Sequence, residues 1–502
     1  MTERPDKAKL FQTAHLKEDL RGRSIRAGIV TASAQLLKAI LGFLNIALLS
    51  RLLSAENYGL VAMASAFMGF LWILTEGGLT MASVQSDELD HHKASTIFWV
   101  NMLFGTGCGL IFAVLAPFIA WYYRDPRLVA IVLCLAVAFP LKASGMQHQA
   151  LLTRQMKFSI LAMIDIASAA LGLIVGVICA FRGLQYWSLI AQTYTTFAVA
   201  MVLYWWFSGW RPGFQFSLRE VRSILHVGGY YSGFLCVCAF NKSMESLLIG
   251  RIGGATQLGL FNRAMSSSMS PFQQFISPVA AVAFPALSRA VTQPAQYRRG
   301  VQQICGTLLA LSLPAVAFLI PAAQPVIRIL LGPNWDAAVP TFAWLLPAAF
   351  LDVFNVIGAL IFNTTGSTKQ FFIFSLFEAL VINGSILLAA PYGVTMVAMG
   401  LSLSGLLIRT PALLWLAARC GSLPVSDFYR PLIHEAPLAA GVAAAVLFCA
   451  RALPGWQPVP QIMVMAGAAA LVYFSLLALF PFGRRRIALI AEHAEKFLRR
   501  SN

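Results

Sequence analysis

The sequence predicts an all-α membrane protein of about 14 transmembrane helices, arranged as two six-helix bundles in parallel pseudo-twofold repeat plus two C-terminal helices. Three observations predict this class: the length of the apolar segments, the alternation of basic charge between loops, and a segment that recurs 200 residues later. The chain has 502 residues, of which 58% are hydrophobic and 11% charged. A spanning helix needs about 20 mainly apolar residues, since it rises about 1.5 Å per residue through hydrocarbon about 30 Å thick. Strands of a membrane barrel would instead alternate apolar and polar residues, which these segments do not.

A polar, amphipathic tail covers residues 1–24, and the first apolar span serves as its own insertion signal. The first six spans are predicted near 27–50, 57–76, 96–121, 128–147, 158–181 and 186–207, within a lobe of residues 25–207. A basic linker, 208–223, leads to a second lobe, 224–417, with spans near 224–250, 257–283, 301–321, 337–362, 370–390 and 394–417. Two further helices, near 432–453 and 460–481, precede a basic tail, 482–502, that reads as an amphipathic helix on the membrane surface. Trp121-Tyr122-Tyr123 and Tyr204-Trp205-Trp206 stand at span ends, where aromatic belts form.

The net charge of +17 orients the array. Counting segments on alternate sides, 25 Lys and Arg lie on the side of the amino terminus and 7 on the other. This bias places both termini in the cytoplasm and requires an even number of spans. It leaves nucleic acid out as a partner and points to anionic membrane lipid instead. Residues 45–64 and 245–264 match at six of 20 positions without a gap: Leu48/Leu248, Arg51/Arg251, Ala55/Ala255, Gly59/Gly259, Leu60/Leu260 and Ala64/Ala264. Six spans separate the copies, so both have the same membrane orientation.

Ionisable residues inside a membrane are costly and mark functional positions. Lys38 in the first span, Lys242 in the seventh and Arg263 in the eighth lie at comparable depth and form a candidate cationic site for an anionic headgroup, phosphate above all. Lys242 also stands one turn from Glu245, with which it can pair, and Arg263 can reach outward; those readings remain open. Glu245, Asp352, Asp165 and Glu378 are the intramembrane acids and the candidates for coupling to a proton or sodium ion. Gln35, Asn45 and Asn241 can line the same path, as can Asn355.

Soluble-enzyme chemistry is disfavoured. No GxxxxGK[ST] segment occurs, and the eight cysteines form no CxxC pair. His91-His92, beside Asp87, Glu88 and Asp90, lack a metal-site spacing. Neither catalytic residues nor a metal or cofactor is expected. The largest loop on the outer side, about 322–336, is small for a polymerase or ligase.

Several stretches together resemble the polysaccharide (Wzx-type) flippases of the multidrug/oligosaccharidyl-lipid/polysaccharide exporter superfamily, in particular the colanic-acid-exporter-like branch. They are SRLLSAENYGLVAMA (50–64), TEGGLTMASVQ (75–85), ALLTRQMKFSILA (150–162), LGLFNRA (258–264), FPALSR (284–289) and LLGPNWDAAVPTF (330–342). Glu76-Gly77-Gly78 departs from the family by an extra Gly and by Glu where Asp is usual. The resemblance implies a two-lobed transporter that moves undecaprenyl-diphosphate-linked oligosaccharide across the bacterial inner membrane, for exopolysaccharide or lipopolysaccharide biosynthesis. It implies alternating access driven by an ion gradient. A polysaccharide polymerase and export machinery are candidate protein partners. The alternatives are a lipid II-type precursor flippase and a small-molecule antiporter of the same fold.

Overall fold

The computed structural model describes residues 20–76, 83, 89–214, 218–480 and 483, with side chains from residue 33 onward except 73–76, 218–239, 241 and 242. The surface helix expected within 484–502, most of the 1–24 tail and the Gly77-Gly78 segment lie outside the described residues.

The described chain is helical throughout, and each of the predicted spans falls on helix. α1 (Leu20–Leu52) is followed by α2 (Ala55–Glu76), whose start Ser54 marks by accepting from the Asn57 amide at 3.4 Å. α3 (His91–Val114) begins earlier than hydropathy alone suggests, because Asp90 caps it through the Lys93 amide at 2.7 Å. Pro117 then starts the short α4 (Ala116–Tyr123), so the third predicted span is made of two helices. α5 (Arg127–Ala136) and α6 (Ala138–Arg154) together replace the fourth, and α7 (Phe158–Phe181) and α8 (Trp187–Ser208) complete the first six.

The seventh and eighth spans lie on one element, α9 (Leu218–Ala290), interrupted at Gly254, where φ is 75° and ψ is −179°. That conformation is open essentially to glycine alone, so the residue between the two apolar runs is fixed by backbone sterics. α10 (Pro294–Leu319) and α11 (Ala323–Leu330) lead to a 3-10 turn, Pro333–Ala338, in which Trp335 is buried. α12 (Val339–Thr364), α13 (Thr368–Ala389) and α14 (Val394–Ser404) follow. A π-helical stretch, Gly405–Arg409, joins α14 to α15 (Thr410–Gly421), and α16 (Ser426–Ala452) and α17 (Pro458–Leu479) end the described chain.

Ten of the described helical segments are long and apolar enough to cross a membrane. Their outer faces suit lipid: Leu388 is 79% exposed, Phe448 74% and Trp206 76%. In water such faces would be uncompensated; in a bilayer they meet solvent of their own polarity. Between helices, close approach relies on small residues. Gly105 and Gly109 of α3 meet α6, and Gly172 and Gly176 of α7 meet Thr196 and Gln192 of α8.

The chain divides into two compact units, Met1–Gly259 and Leu260–Asn502. The division therefore falls inside α9, beyond the 208–223 linker. Within the first unit the linker is held down. Trp99 donates to the Gly213 carbonyl at 2.8 Å, Gly213 donates to Ser95 at 2.9 Å, and Trp210 donates to His91 at 3.1 Å. The repeat copies also meet there. A Cβ placed on Gly59 would lie 1.7 Å from the Ala255 carbonyl oxygen, and one on Gly259 would lie 1.8 Å from that of Ala55. The 200-residue offset maps each contact onto the other.

Candidate functional site

In the first unit three helices bring one ion pair together. The Lys38 ammonium on α1 donates to Oδ2 of Asp165 on α7. Tyr204 on α8 donates to the other carboxylate oxygen at 3.3 Å. Packing fixes this geometry: the Tyr204 ring is buried with Leu152 and Ile164, which leaves its hydroxyl directed at the carboxylate. Both charged side chains keep about a third of their surface accessible, 34% for Lys38 and 36% for Asp165. A pair so placed holds its charges together without sealing them off. Gln35 is exposed and Asn45 half-buried, and their spacing sets them on the same side of α1 as Lys38.

The sequence treats Lys38 as a headgroup contact and Asp165 as a separate coupling acid. The structure makes them partners. Tyr204 was legible only as an interface aromatic, and of its cluster Trp206 alone faces outward, since Trp205 donates to the Ser144 carbonyl at 2.9 Å. Lys142 of α6, a further intramembrane cation that the sequence reading passed over, sits 3.8 Å from the centre of the Trp72 ring. His148, fully buried, shares a hydrogen bond with Ser208 at 2.8 Å among Phe98, Trp205 and Trp210.

In the second unit two further coupling candidates come together. Asp352 on α12 accepts from Gln273 of α9 at 2.9 Å and from Asn355 at 3.4 Å. The same Asn355 amide reaches Glu378 of α13 at 3.4 Å. Arg409, at the end of the π-helical stretch, donates to Glu378 at 3.3 Å and to the Leu401 carbonyl at 2.7 Å. The π turn makes this reach possible, and Gly405 gives the space: a Cβ there would meet the Arg409 guanidinium at 2.9 Å and Leu351 at 2.9 Å. Arg409 is the second cation the sequence reading missed. Two carboxylates, an amide and one guanidinium leave this cluster with one negative charge in excess when both acids are ionised.

Arg263 is half-buried on α9 in the second unit, and Glu245 is half-buried on the same helix in the first. The side chains of Lys242 and Asn241 lie outside the described residues. In the turn before α5, Asp125 receives three hydrogen bonds from the Arg127 side chain, at 3.0, 3.2 and 2.7 Å, and the same guanidinium reaches Glu56 at 2.7 Å. The Arg127 guanidinium holds the Asp125 carboxyl below its ordinary range.

A helical array with charged pairs between its helices and lipid-suited faces is a multi-pass membrane protein. Its fold is similar to that of the lipid II flippase MurJ in an inward closed conformation (TM-score 0.71, 14% identity, covering 90% of this chain and 99% of that one). It is also similar to an inward-facing multidrug resistance MATE family transporter of the MOP superfamily (TM-score 0.60, 15% identity, 76% of this chain and 94% of that one). The family model described as "Polysaccharide biosynthesis protein" matches residues 48–340, more than half of the chain. The chain belongs to this family.

Among its relatives, the teichuronic acid biosynthesis protein TuaB of Bacillus subtilis is 27% identical over 302 residues, 59% of this chain and 61% of that protein. The lipopolysaccharide biosynthesis protein WzxC of Escherichia coli is 24% identical over 389 residues, 75% and 78% of the two chains. The succinoglycan biosynthesis transport protein ExoT of Rhizobium meliloti is 26% identical over 305 residues, 61% and 62%. The match thus spans about three fifths of the length of TuaB and of ExoT.

Proposed function

We propose that this protein is a flippase of the bacterial inner membrane that moves undecaprenyl-diphosphate-linked oligosaccharide between leaflets, for exopolysaccharide or lipopolysaccharide assembly. In this reading 14 spans form two six-helix bundles plus two helices, with both termini in the cytoplasm. The reciprocal Gly59–Ala255 and Gly259–Ala55 contacts support the repeat, and the basic-charge bias supports the orientation.

The observation that carries the mechanism is the Lys38–Asp165 pair. While Asp165 is ionised it cancels the charge that would attract a diphosphate. A proton on Asp165, or its displacement by the headgroup, frees the ammonium to bind phosphate oxygens. Headgroup binding and protonation of Asp165 then favour each other, so the proton and the headgroup occupy and leave this site together, which couples their movements. Tyr204 holds the carboxylate in place through the exchange. The Asp352–Asn355–Glu378–Arg409 cluster is the second coupling element, its unmatched carboxylate taking a proton or a sodium ion. Arg263 adds a second headgroup cation, and Lys242 a third.

A peptidoglycan-precursor flippase shares the diphosphate chemistry, and the MurJ-like fold favours that second reading. The family match and the named roles of the relatives favour oligosaccharide. The test replaces Lys38 and Arg263 separately by Gln and measures lipid-linked oligosaccharide on the cytoplasmic leaflet of the producing cell. Accumulation there is expected in both variants. Undiminished export in both would sink the headgroup assignment.

A further inference from the structure

We infer that the second unit carries a binding site for an anionic glycerophospholipid in the cleft between the second half of α9 and the first half of α10. The cleft has a volume of about 730 Å3, within the range of pockets that hold small amphiphiles. The two helices run antiparallel through the short turn at 291–293, so the wall is graded along its length. Near the turn the lining is Ala286, Ala290, Gln296 and Arg299, and Gln303 stands one turn beyond Arg299; farther in it is Pro278, Val279, Val282 and Ile304, with Thr307 at the far end. From Arg299 to Thr307 the helix rises about 12 Å. The one charge lies toward the turn and the far wall is mainly apolar, which is the pattern of a lipid headgroup and the start of its chains.

The neighbouring arginine explains why a charge remains at the mouth. Arg298 turns into the protein and grips Asp427 of α16 with two hydrogen bonds, at 2.5 and 2.9 Å. Arg299 faces the cleft instead, is exposed, and makes no hydrogen bond or ion pair with any described residue. Gly300 allows the two helices to touch at the closed side, where a Cβ would meet Leu287 at 3.0 Å. The residues that leave the cleft open, Val282 and Ala286, are exposed into it.

Charge decides between occupants. Arg299 is the one ionisable group in the wall, and a single guanidinium with two flanking amides balances one phosphodiester charge. A polyprenyl diphosphate carries more negative charge than this mouth neutralises. The occupant is therefore a resident membrane lipid of the phosphatidylglycerol type, held with its headgroup at the arginine-bearing end. This site does not depend on which substrate the protein transports.

Native mass spectrometry of the full-length protein in detergent, with dioleoyl phosphatidylglycerol and the matching phosphatidylcholine as probes, tests the site. Wild type retains one phosphatidylglycerol in preference. Arg299→Gln weakens that retention about fivefold, the effect of one basic residue near anionic lipid, and Arg299→Lys restores most of it. Ala286→Trp fills the cleft and removes the bound lipid of either class. Equal retention in wild type and Arg299→Gln overturns the proposal, and so does displacement of phosphatidylglycerol by an equimolar polyprenyl phosphate. Because Arg299 is exposed, its variants fold and decide the matter even where Ala286→Trp does not.

Discussion

The Lys38–Asp165 pair has a measurable energetic signature. At an effective dielectric of about 20, unit charges about 4 Å apart attract by about 4 kcal/mol. Solvent access reduces this: 34% and 36% of the two side chains are exposed, and fully exposed pairs contribute only about 0–1 kcal/mol. Polar pairs between membrane helices average about 0.6 kcal/mol in double-mutant cycles, with a maximum of about 1.7. A coupling of about 1–2 kcal/mol follows for a pair that also has Tyr204 on its carboxylate. Lys38→Met and Asp165→Asn, alone and together, are unfolded by denaturant in detergent and scored by tryptophan fluorescence. The double variant should lose less stability than the two single losses add up to, by about the coupling energy. Coupling below about 0.3 kcal/mol, the noise of independent sites, refutes the pair as an energetic unit. The same variants separate structure from function. Asp165→Asn leaves Lys38 uncompensated, so its affinity for a diphosphate probe should rise above wild type, while Lys38→Met lowers it. Equal affinity in wild type and Asp165→Asn would show that the carboxylate does not restrain the lysine.

Three other outcomes follow from particular contacts. Gly405→Ala forces a methyl against Leu351 and the Arg409 guanidinium, costs about 1–3 kcal/mol as overpacking, and should abolish any ion dependence of transport that Arg409→Gln also abolishes; an unchanged melting temperature counts against it. Gly59→Val and Gly259→Val each drive a side chain into a carbonyl less than 2 Å away, so both should lower the yield of folded protein to a similar degree, and tolerance of either would break the reciprocity of the repeat. Asp125 has a folded value lowered from 3.8, chiefly by its hydrogen bond to Arg127, so its contribution is complete above the ordinary value and lost as pH falls through the lowered one. The stability gap between wild type and Asp125→Asn should be constant above about pH 5 and narrow on acidification below about pH 4; a gap that widens in acid refutes the assignment.

The positions of the helices were legible in the sequence because apolar length is a one-dimensional property. Gly254 falls in the predicted turn between the seventh and eighth spans for the same reason, although the backbone there continues as an interrupted helix. Helix starts were less legible where a cap decides them, as Asp90 does for α3. The pairings were not legible. Counting from span ends gives a side chain's depth but not the direction it faces, and Lys38 and Asp165 are 127 residues apart in sequence. Asp352 and Glu378 were both marked as buried acids, yet nothing in their spacing predicts a shared amide from Asn355. Tyr204 was hidden by its neighbours, since a run of three aromatic residues at a span end reads as an interface belt. Lys142 and Arg409 were within reach. Of 37 Lys and Arg, 25 lie on one side and 7 on the other, and the remainder must be intramembrane.

The pairings also change the physical picture that the cations alone suggested. A cavity lined by free Lys and Arg would bind a diphosphate tightly and have no means of letting it go. Among the described residues two intramembrane cations have an acid beside them: Lys38 has Asp165, and Arg409 has Glu378. The first pair is about a third exposed and Glu378 of the second also accepts from Asn355, so each attraction is a few kcal/mol at most and a competing ligand can offset it. In the proposed mechanism, binding depends on the difference between a lysine held by a carboxylate and a lysine held by a phosphate. That difference is small enough for one proton to reverse, and a transporter needs a site whose preference can be reversed.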